Sequence, residues 1–297
     1  MQTEDRRGRS YGTEWAPLMK WATDLVILIV SFVLLCMAAP VASAQNPDDL
    51  MPAASAAKAR AILQQTITAL GGSAYLELRN TDCTGRAAQF EHSGAVGGYL
   101  EFHDYRELPD KVRQEYDKKG IIVDIYTAIK GWSLDRGGVS ELPADAIAAY
   151  REQLKTDLNT ILRTRMNDDT LTFRYAGTDV VDLKNADWIE IDDREGHTIR
   201  VAIDKSTHLP IRSVVGSRDP ETRDRIEKSS FYSNYHPIDG VQTPFQTAQF
   251  RNGQQTFQVF YEGCQYNQNL SPDLFTRASL DEHFAQVHKK DRNARKK

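Results

Sequence analysis

Apolar and polar residues alternate along most of the chain between about residues 80 and 265, in runs as long as a β-strand. In one such run, Ile199, Val201 and Ile203 occupy alternate positions. A period of two puts the apolar side chains of a strand on one face and the polar ones on the other. Turn residues such as Asn252-Gly253 separate the runs, as in β-hairpins. The pattern predicts about ten to twelve antiparallel strands.

Two segments follow a helical period instead, because their apolar residues recur every three or four positions. The first is predicted as a helix from about Ala53 to Leu70, which Gly71-Gly72 would end with a left-handed cap. The second begins after Pro143, a residue that suits the first turn of a helix, and is predicted to reach about residue 165.

No linker, repeat or shift in composition divides the chain, so we predict a single domain over residues 45–285. A sheet of this size must bury its apolar face. We therefore predict an α+β fold, in which a large curved antiparallel sheet forms an unclosed β-barrel with helices as a lid or plug on its concave face. Such a barrel either encloses a ligand or has a packed core, and the pattern alone favours neither.

The N-terminus is typical of an export signal. The stretch from Leu25 to Ala39 is uncharged but shorter than the roughly 20 residues of a spanning helix. Small residues at 42–44 (Ala-Ser-Ala) follow it, as at a signal-peptidase site. We interpret residues 1–44 as a signal peptide, with Met19 as an alternative start, and place the protein in the periplasm. The alternative is an uncleaved inner-membrane anchor formed by Leu25–Ala39.

Charge narrows the range of partners. The net charge of −4 and the pI near 6.0 argue against nucleic acid, which binds to basic surfaces. Basic residues crowd positions 286–297, which we predict to be a disordered tail.

Motifs for catalysis or for metal binding are absent from the sequence. There is no HExxH, CxxC, GxSxG, P-loop or GxGxxG pattern. The acidic pairs at 168–169 and 192–193 fall at predicted turns and lack the spacing of a calcium loop. We therefore expect no metal, no cofactor and no enzymatic activity. A hydrolase with a dispersed site stays open as an alternative, if the fold joins His103 or His197 to an acidic residue and a hydroxyl.

The cysteines of the predicted mature chain are Cys83, in the first predicted strand, and Cys264, in the last. In an oxidising compartment they could form a disulfide. The alternative is two buried thiols, and the sequence leaves both possibilities open.

The order of short motifs resembles a known family. It includes LGG at 70–72, LPDKVRQE at 108–115, KGWSL at 130–134, IDKSTHLP at 203–210 and DGVQTP at 239–244. Over about residues 55–276 the chain resembles the outer-membrane lipoprotein-sorting superfamily of periplasmic proteins, of the LolA and LolB type. The resemblance implies an unclosed barrel with lid helices over an apolar cavity that takes acyl chains.

The resemblance also implies a function. We expect a non-catalytic periplasmic carrier that binds a lipid or lipoprotein in outer-membrane trafficking. Its partners would be acyl chains and membrane-bound donor or acceptor proteins. Family members also include regulators, so a cell-envelope protein-binding or stress-signalling module is the alternative. In the carrier an Arg-Pro pair helps to hold the lid; the nearest match is Arg106, which two residues separate from Pro109.

Candidate site residues follow from the alternating and helical patterns. The predicted cavity lining consists of residues from the apolar faces of strands: Val112, Tyr116, Ile121, Val123, Ile125, Phe173, Val201 and Ile203. The predicted lid consists of helix residues and one strand arginine: Ile62, Leu63, Ile67, Arg106, Ile147, Leu154 and Leu158.

Overall fold

The structure is a computed structural model that describes residues 50–116, 121–218 and 222–294. These residues belong to one compact unit, Asn46–Lys297. The predicted signal peptide, the apolar stretch Leu25–Ala39 and the alternative start at Met19 lie outside the described residues. Within the described part, no helix has the length and apolar character needed to cross a membrane.

The strands form a single antiparallel sheet of thirteen members, slightly more than the sequence predicts. They are β1 (Asn80–Phe90), β2 (Val96–Glu107), β3 (Lys111–Tyr116), β4 (Ile122–Tyr126), β5 (Gly131–Asp135), β6 (Gly138–Glu141), β7 (Leu171–Val181), β8 (Lys184–Asp193), β9 (Thr198–Asp204), β10 (Pro210–Arg218), β11 (Arg225–Ile238), β12 (Val241–Arg251) and β13 (Gln254–Tyr266). The sheet does not close on itself, which confirms the predicted α+β fold with an unclosed, barrel-like sheet.

The strand order places the first and the last strand side by side in the middle of the sheet. It runs β6-β5-β4-β3-β2-β1-β13-β12-β11-β10-β9-β8-β7, so the first strand pairs with the last. The edge strands β6 and β7 are consecutive in sequence, yet they lie at opposite edges. The chain between them therefore has to pass from one edge to the other, and that chain is the second predicted helical segment.

The helices are α1 (Pro52–Leu70), α2 (Ser73–Leu76), α3 (Ala144–Thr156), α4 (Leu158–Thr160) and α5 (Arg277–Ala294). A π-helical turn, Ile161–Arg165, follows α4, and a short 3₁₀ helix, Pro272–Phe275, precedes α5. The prediction for α1 is confirmed to within one residue at its start.

The second predicted helix, 143–165, is wrong as one continuous helix. It breaks at Asp157, whose backbone is extended (φ −67°, ψ 129°). The carboxylate of Asp157 accepts a hydrogen bond from the backbone N–H of Thr160 at 2.9 Å. This is an N-cap, so a new helical turn starts where the apolar spacing alone predicted continuation.

Helix α1 packs on one face of the sheet, which we call the inner face; the opposite face is the outer face. Its buried residues join one core with the strands β7–β9. The core members include Ile62, Leu63, Ile67, Phe173, Ile189, Ile191, Ile199, Val201 and Ile203. Ser55 at the start of α1 accepts a hydrogen bond from the backbone N–H of Tyr175 at 3.0 Å, which fixes the helix to β7.

A separate core lies on the outer face, where α5 covers β4 and β5. It contains Val123, Ile125, Leu134, Phe275 and Leu280. The helix continues to Ala294. The predicted disordered tail, 286–297, is therefore helical as far as the structure describes it. Apolar residues in the first turns of α5 pack on the sheet, and the last turns extend the same helix.

Candidate ligand-binding site on the inner face

The inner face has two halves that differ in chemistry and in packing. We call the aliphatic half on β7–β9, beneath α1, the filled half. Across the sheet, β1–β4, β12 and β13 carry half-buried aromatic side chains, and we call this part the open half. Its aromatic residues are Phe102, Tyr116, Tyr126, Phe245 and Tyr261. The ring of Tyr261 lies 5.7 Å from that of Phe102 and 6.3 Å from that of Phe245, so these side chains form one surface.

An ion pair occupies the middle of the open half. Arg106 Nε donates to Asp104 Oδ2 at 2.6 Å, and both residues belong to β2. The Asp104 side chain is only 2% exposed, whereas that of Arg106 is 41% exposed. The negative charge of Asp104 raises the pKa of Arg106, and this outweighs the opposing effect of burial. The site therefore holds a permanent, partly accessible positive charge.

The surrounding tyrosines remain protonated. Burial raises the pKa of Tyr150 and that of Tyr261 to about 12, although the charge of Arg106 acts to lower both. Burial raises the pKa of Tyr116 as well. The hydroxyl of Tyr116 donates to Gln114 at 2.9 Å. The open half is therefore a surface of aromatic rings and hydroxyl donors around one guanidinium.

Helix α3 contacts this half through few side chains. The ring of Tyr150 lies 5.2 Å from that of Tyr126, and its hydroxyl donates to the carbonyl oxygen of Asp110 at 3.0 Å. Among the 13 residues of α3, all within the described part, Ile147 alone is buried. Ile147 packs over Gly131, where the methyl group of an alanine would lie 2.8 Å from its Cδ1 atom.

The predicted lid therefore divides into two parts with different packing. Ile62, Leu63 and Ile67 on α1, together with Leu158, are buried in the core of the filled half. In contrast, Ile147 and the half-buried Leu154 belong to the lightly packed α3. The burial of α1 makes it a fixed plug, whereas α3 has the character of a lid. Arg106 bonds to its own strand rather than to a lid helix.

The predicted cavity residues do not form one surface. Phe173, Val201 and Ile203 lie in the filled half, whereas Val112 and Tyr116 lie, half-buried, in the open half. Ile121 precedes β4 and is half-buried.

Val123 and Ile125 lie on the outer face beneath α5, so their assignment to the cavity is wrong. The reason is the register, in which Tyr126 is opposite Val112 and Val123 is opposite Glu115. Directly opposed residues share a face. The inner-face residues of β4 are therefore Ile122, Asp124 and Tyr126. Val123 and Ile125 are buried by a helix that the sequence pattern did not assign to that face.

Cys83 and Cys264 form a disulfide in the structure. They lie directly opposite each other on β1 and β13, and Asp104 is the other neighbour of Cys83 in the sheet. The bond therefore cross-links two central strands of the sheet, within the open half and next to the ion pair.

His103 does meet an acidic residue and a hydroxyl, the condition for the hydrolase alternative. Its Nε2 lies 2.6 Å from Asp82 Oδ1, and its Nδ1 lies 3.0 Å from the hydroxyl of Tyr105. Burial, with help from Glu115 and Asp82, raises the pKa of Tyr105 to about 12. Tyr105, His103 and Asp82 thus form a chain of hydrogen bonds on the outer face.

A cleft of about 570 Å³ lies elsewhere, where α2 meets the ends of β12 and β13. Its lining includes Glu77, Arg79, Asp239 and Asn267. None of the predicted cavity or lid residues lines it.

Comparisons with known proteins show the class of fold. Neither the protein-family models nor the curated protein sequences include a match. Among solved structures, a DUF1329 family protein from Desulfovibrio piger is 15% identical with a TM-score of 0.55, over 75% of this chain and 98% of that one. A domain classed with outer-membrane lipoprotein-sorting proteins, from Vibrio parahaemolyticus, is 11% identical with a TM-score of 0.52, over 76% and 99%.

The chain thus has the fold of the lipoprotein-sorting superfamily, and the resemblance seen in its motifs is confirmed at the level of the fold. A fold of this class accommodates several functions, so the role has to be argued from the site. The sequence did not single out Asp104, Tyr126, Tyr150 or Tyr261. The alternation on β2 and β4 identifies Asp104 and Tyr126 only when the register of the two strands is known.

Proposed function

We propose that the protein is a non-catalytic carrier of the cell envelope that binds an acyl chain of a lipid or lipoprotein on the open half of the inner face, beneath α3. The observation that carries this proposal is the contrast between the two halves. One half is filled by α1, and the other presents half-buried aromatic rings under a helix with a single buried residue.

Burial of an acyl chain on this surface supplies a large favourable free energy. Burial of each methylene contributes about 0.8 kcal/mol, so a chain of about 16 carbons has roughly 12 kcal/mol available before the costs of association. Aromatic rings supply large contact areas at a low cost in side-chain entropy. The guanidinium of Arg106 offers hydrogen bonds to a polar group at the end of the chain.

Native mass spectrometry of protein purified from a membrane-containing extract tests the proposal. We expect a bound species with the mass of a lipid or an acylated peptide, which organic solvent releases. A fluorescent fatty-acid probe then measures the affinity of the emptied protein. Tyr116→Ala should weaken the binding of this probe by about tenfold, which corresponds to about 1.4 kcal/mol.

Tyr99→Ala is the matched control, because Tyr99 lies on a strand but is 77% exposed. Its probe affinity should equal that of the wild type. If the purified protein has no bound lipid and the probe does not bind, the carrier proposal is wrong. Recovery of a stable protein partner instead, seated on the same half, would support the binding-module alternative.

A further inference from the structure

A cluster of charged side chains joins the C-terminal end of α3 to the turn between β8 and β9. We call Glu152, Lys155, Asp193, Glu195 and His197 the lid cluster. Glu152 and Lys155 belong to α3, and the other three to the end of β8 and the turn that follows it. One donor atom each of Glu152, Glu195 and His197 lies within 4.8 Å of the others.

Asp193 fixes the orientation of the His197 ring. Its Oδ2 lies 2.7 Å from His197 Nδ1, and its Oδ1 accepts hydrogen bonds from the backbone N–H groups of Glu195 and His197, each at 2.9 Å. These contacts hold Nδ1 of the ring against Asp193 and leave Nε2, on the opposite side of the ring, for a second partner.

The Nε2 atom faces a second carboxylate. His197 Nε2 lies 3.3 Å from Glu152 Oε2. A positive charge between these two atoms, either a proton on Nε2 or a metal ion in its place, makes the contact favourable. The His197 side chain is only 17% exposed, so the ring is largely shielded from water.

The distance also fits a metal ion. In a tetrahedral zinc site, ligand atoms about 2.0–2.1 Å from the ion lie about 3.3–3.4 Å from one another. The contact between His197 and Glu152 already has this length, and Glu195 has to approach by at most about 1.5 Å to complete the set. A carboxylate that holds the second nitrogen of a ligating histidine is the usual outer partner of zinc.

Lys155 now occupies part of this space. Its ammonium lies 2.5 Å from Glu195 Oε2 and 3.0 Å from Glu152 Oε1. The cluster nevertheless holds three carboxylates against one ammonium. A divalent ion compensates this surplus better than a single ammonium does, and the Lys155 side chain, 36% exposed, can turn out into water.

We infer that the lid cluster is a site for a divalent transition-metal ion, Zn²⁺ above all, with Glu152, Glu195 and His197 as ligands and Asp193 as the partner that orients His197. Two ligands come from the β8–β9 turn and one from α3. The bound ion therefore fastens the C-terminal end of the lid helix to the sheet. Binding of the ion does not depend on the proposed carrier function.

Calorimetric titration of Zn²⁺ into the full, chelator-treated chain without a histidine tag tests the site. We expect one ion per chain. His197→Ala should abolish binding, and Glu152→Gln should weaken it by at least about tenfold. His236→Ala is the control, because His236 is exposed and distant from the lid cluster, and its titration should match the wild type.

The variant Lys155→Met distinguishes a metal site from a simple set of ion pairs. If the site binds metal, removal of the competing ammonium should tighten Zn²⁺ binding, whereas a cluster that is only a set of ion pairs gains no affinity. Zn²⁺ should also slow amide hydrogen exchange in residues 147–156 of the wild type and not of His197→Ala. Absence of binding in a folded wild type, or equal binding by His197→Ala, would overturn the inference.

Discussion

The disulfide between Cys83 and Cys264 gives the most quantitative test of the fold, through the double variant Cys83→Ala, Cys264→Ala. The bond closes a loop whose ends are 181 residues apart in sequence. In the chain-entropy treatment, cross-linking a loop of this length removes about 5 kcal/mol of entropic stabilisation from the unfolded state. Replacement of two inner-face cysteines by alanine changes little else, since each loses only one sulfur atom.

Urea unfolding, followed by the fluorescence of Trp132 and Trp188 and by circular dichroism, measures the effect. With a denaturant slope near 3 kcal/mol/M, a loss of about 5 kcal/mol lowers the midpoint by roughly 1.5–2 M. The slope itself should rise, because the unfolded chain without the cross-link exposes more surface. Residual structure in the unfolded state reduces the shift, so this figure is an upper value.

Reduction provides the internal control. A reductant should lower the midpoint of the wild type to that of the double variant, and it should leave the double variant unchanged. If the oxidised wild type and the double variant unfold at the same urea concentration, the loop is not closed in solution, and the central pairing of β1 with β13 has to be held by hydrogen bonds alone.

Two further perturbations test the lid and the acid stability. Gly131→Ala places a methyl group 2.7 Å from the carbonyl oxygen of Ile125 and from Leu142 Cδ1, and 2.8 Å from Ile147 Cδ1, so it should destabilise the protein by about 1–3 kcal/mol. Displacement of Ile147 should also speed amide exchange in α3, whereas Gly98→Ala, with open space around it, should do neither. Hydrogen bonds from the hydroxyl and the backbone N–H of Thr170 lower the pKa of Asp168 from 3.8 to about 2. Since this pKa is depressed in the folded state, the ionised Asp168 contributes fully to stability above pH 3.8, and this contribution is lost as the pH falls through about 2. In Asp168→Asn, the urea midpoint should lose that part of its pH dependence.

The sequence predicted the fold well because the apolar alternation and the hairpin turns are local signals. It predicted α1 for the same reason, since the stripe and the Gly71-Gly72 cap are both contained in the segment. It failed where a distant element decides the outcome. Val123 and Ile125 alternate as inner-face residues would, but α5, which lies about 150 positions later in the chain, covers their face.

The candidate site was harder to predict for a related physical reason. Hydrophobicity identifies surfaces that are buried by the protein itself, and these are the filled half and the outer core. The open half is largely half-buried and carries aromatic and charged groups such as Arg106 and Tyr126, so hydrophobicity does not identify it. Only the register, which opposes Val112 to Tyr126 and Arg106 to Val112, brings these residues together.

The position of α3 follows from the strand order, and its attachment determines how it can move. Because β6 and β7 lie at opposite edges of the sheet, the segment between them has to cross it. The contacts of Tyr150 with Tyr126 and of Ile147 with Gly131 place α3 on the inner face. Ile147 holds its N-terminal part by apolar contact with Gly131, and Glu152 and Lys155 hold its C-terminal part by polar contacts with the β8–β9 turn. Salt weakens the polar attachment and leaves the apolar one intact. Opening should therefore begin at the C-terminal end of α3 and turn about Ile147, which exposes Tyr150 and the open half while α1 stays in place.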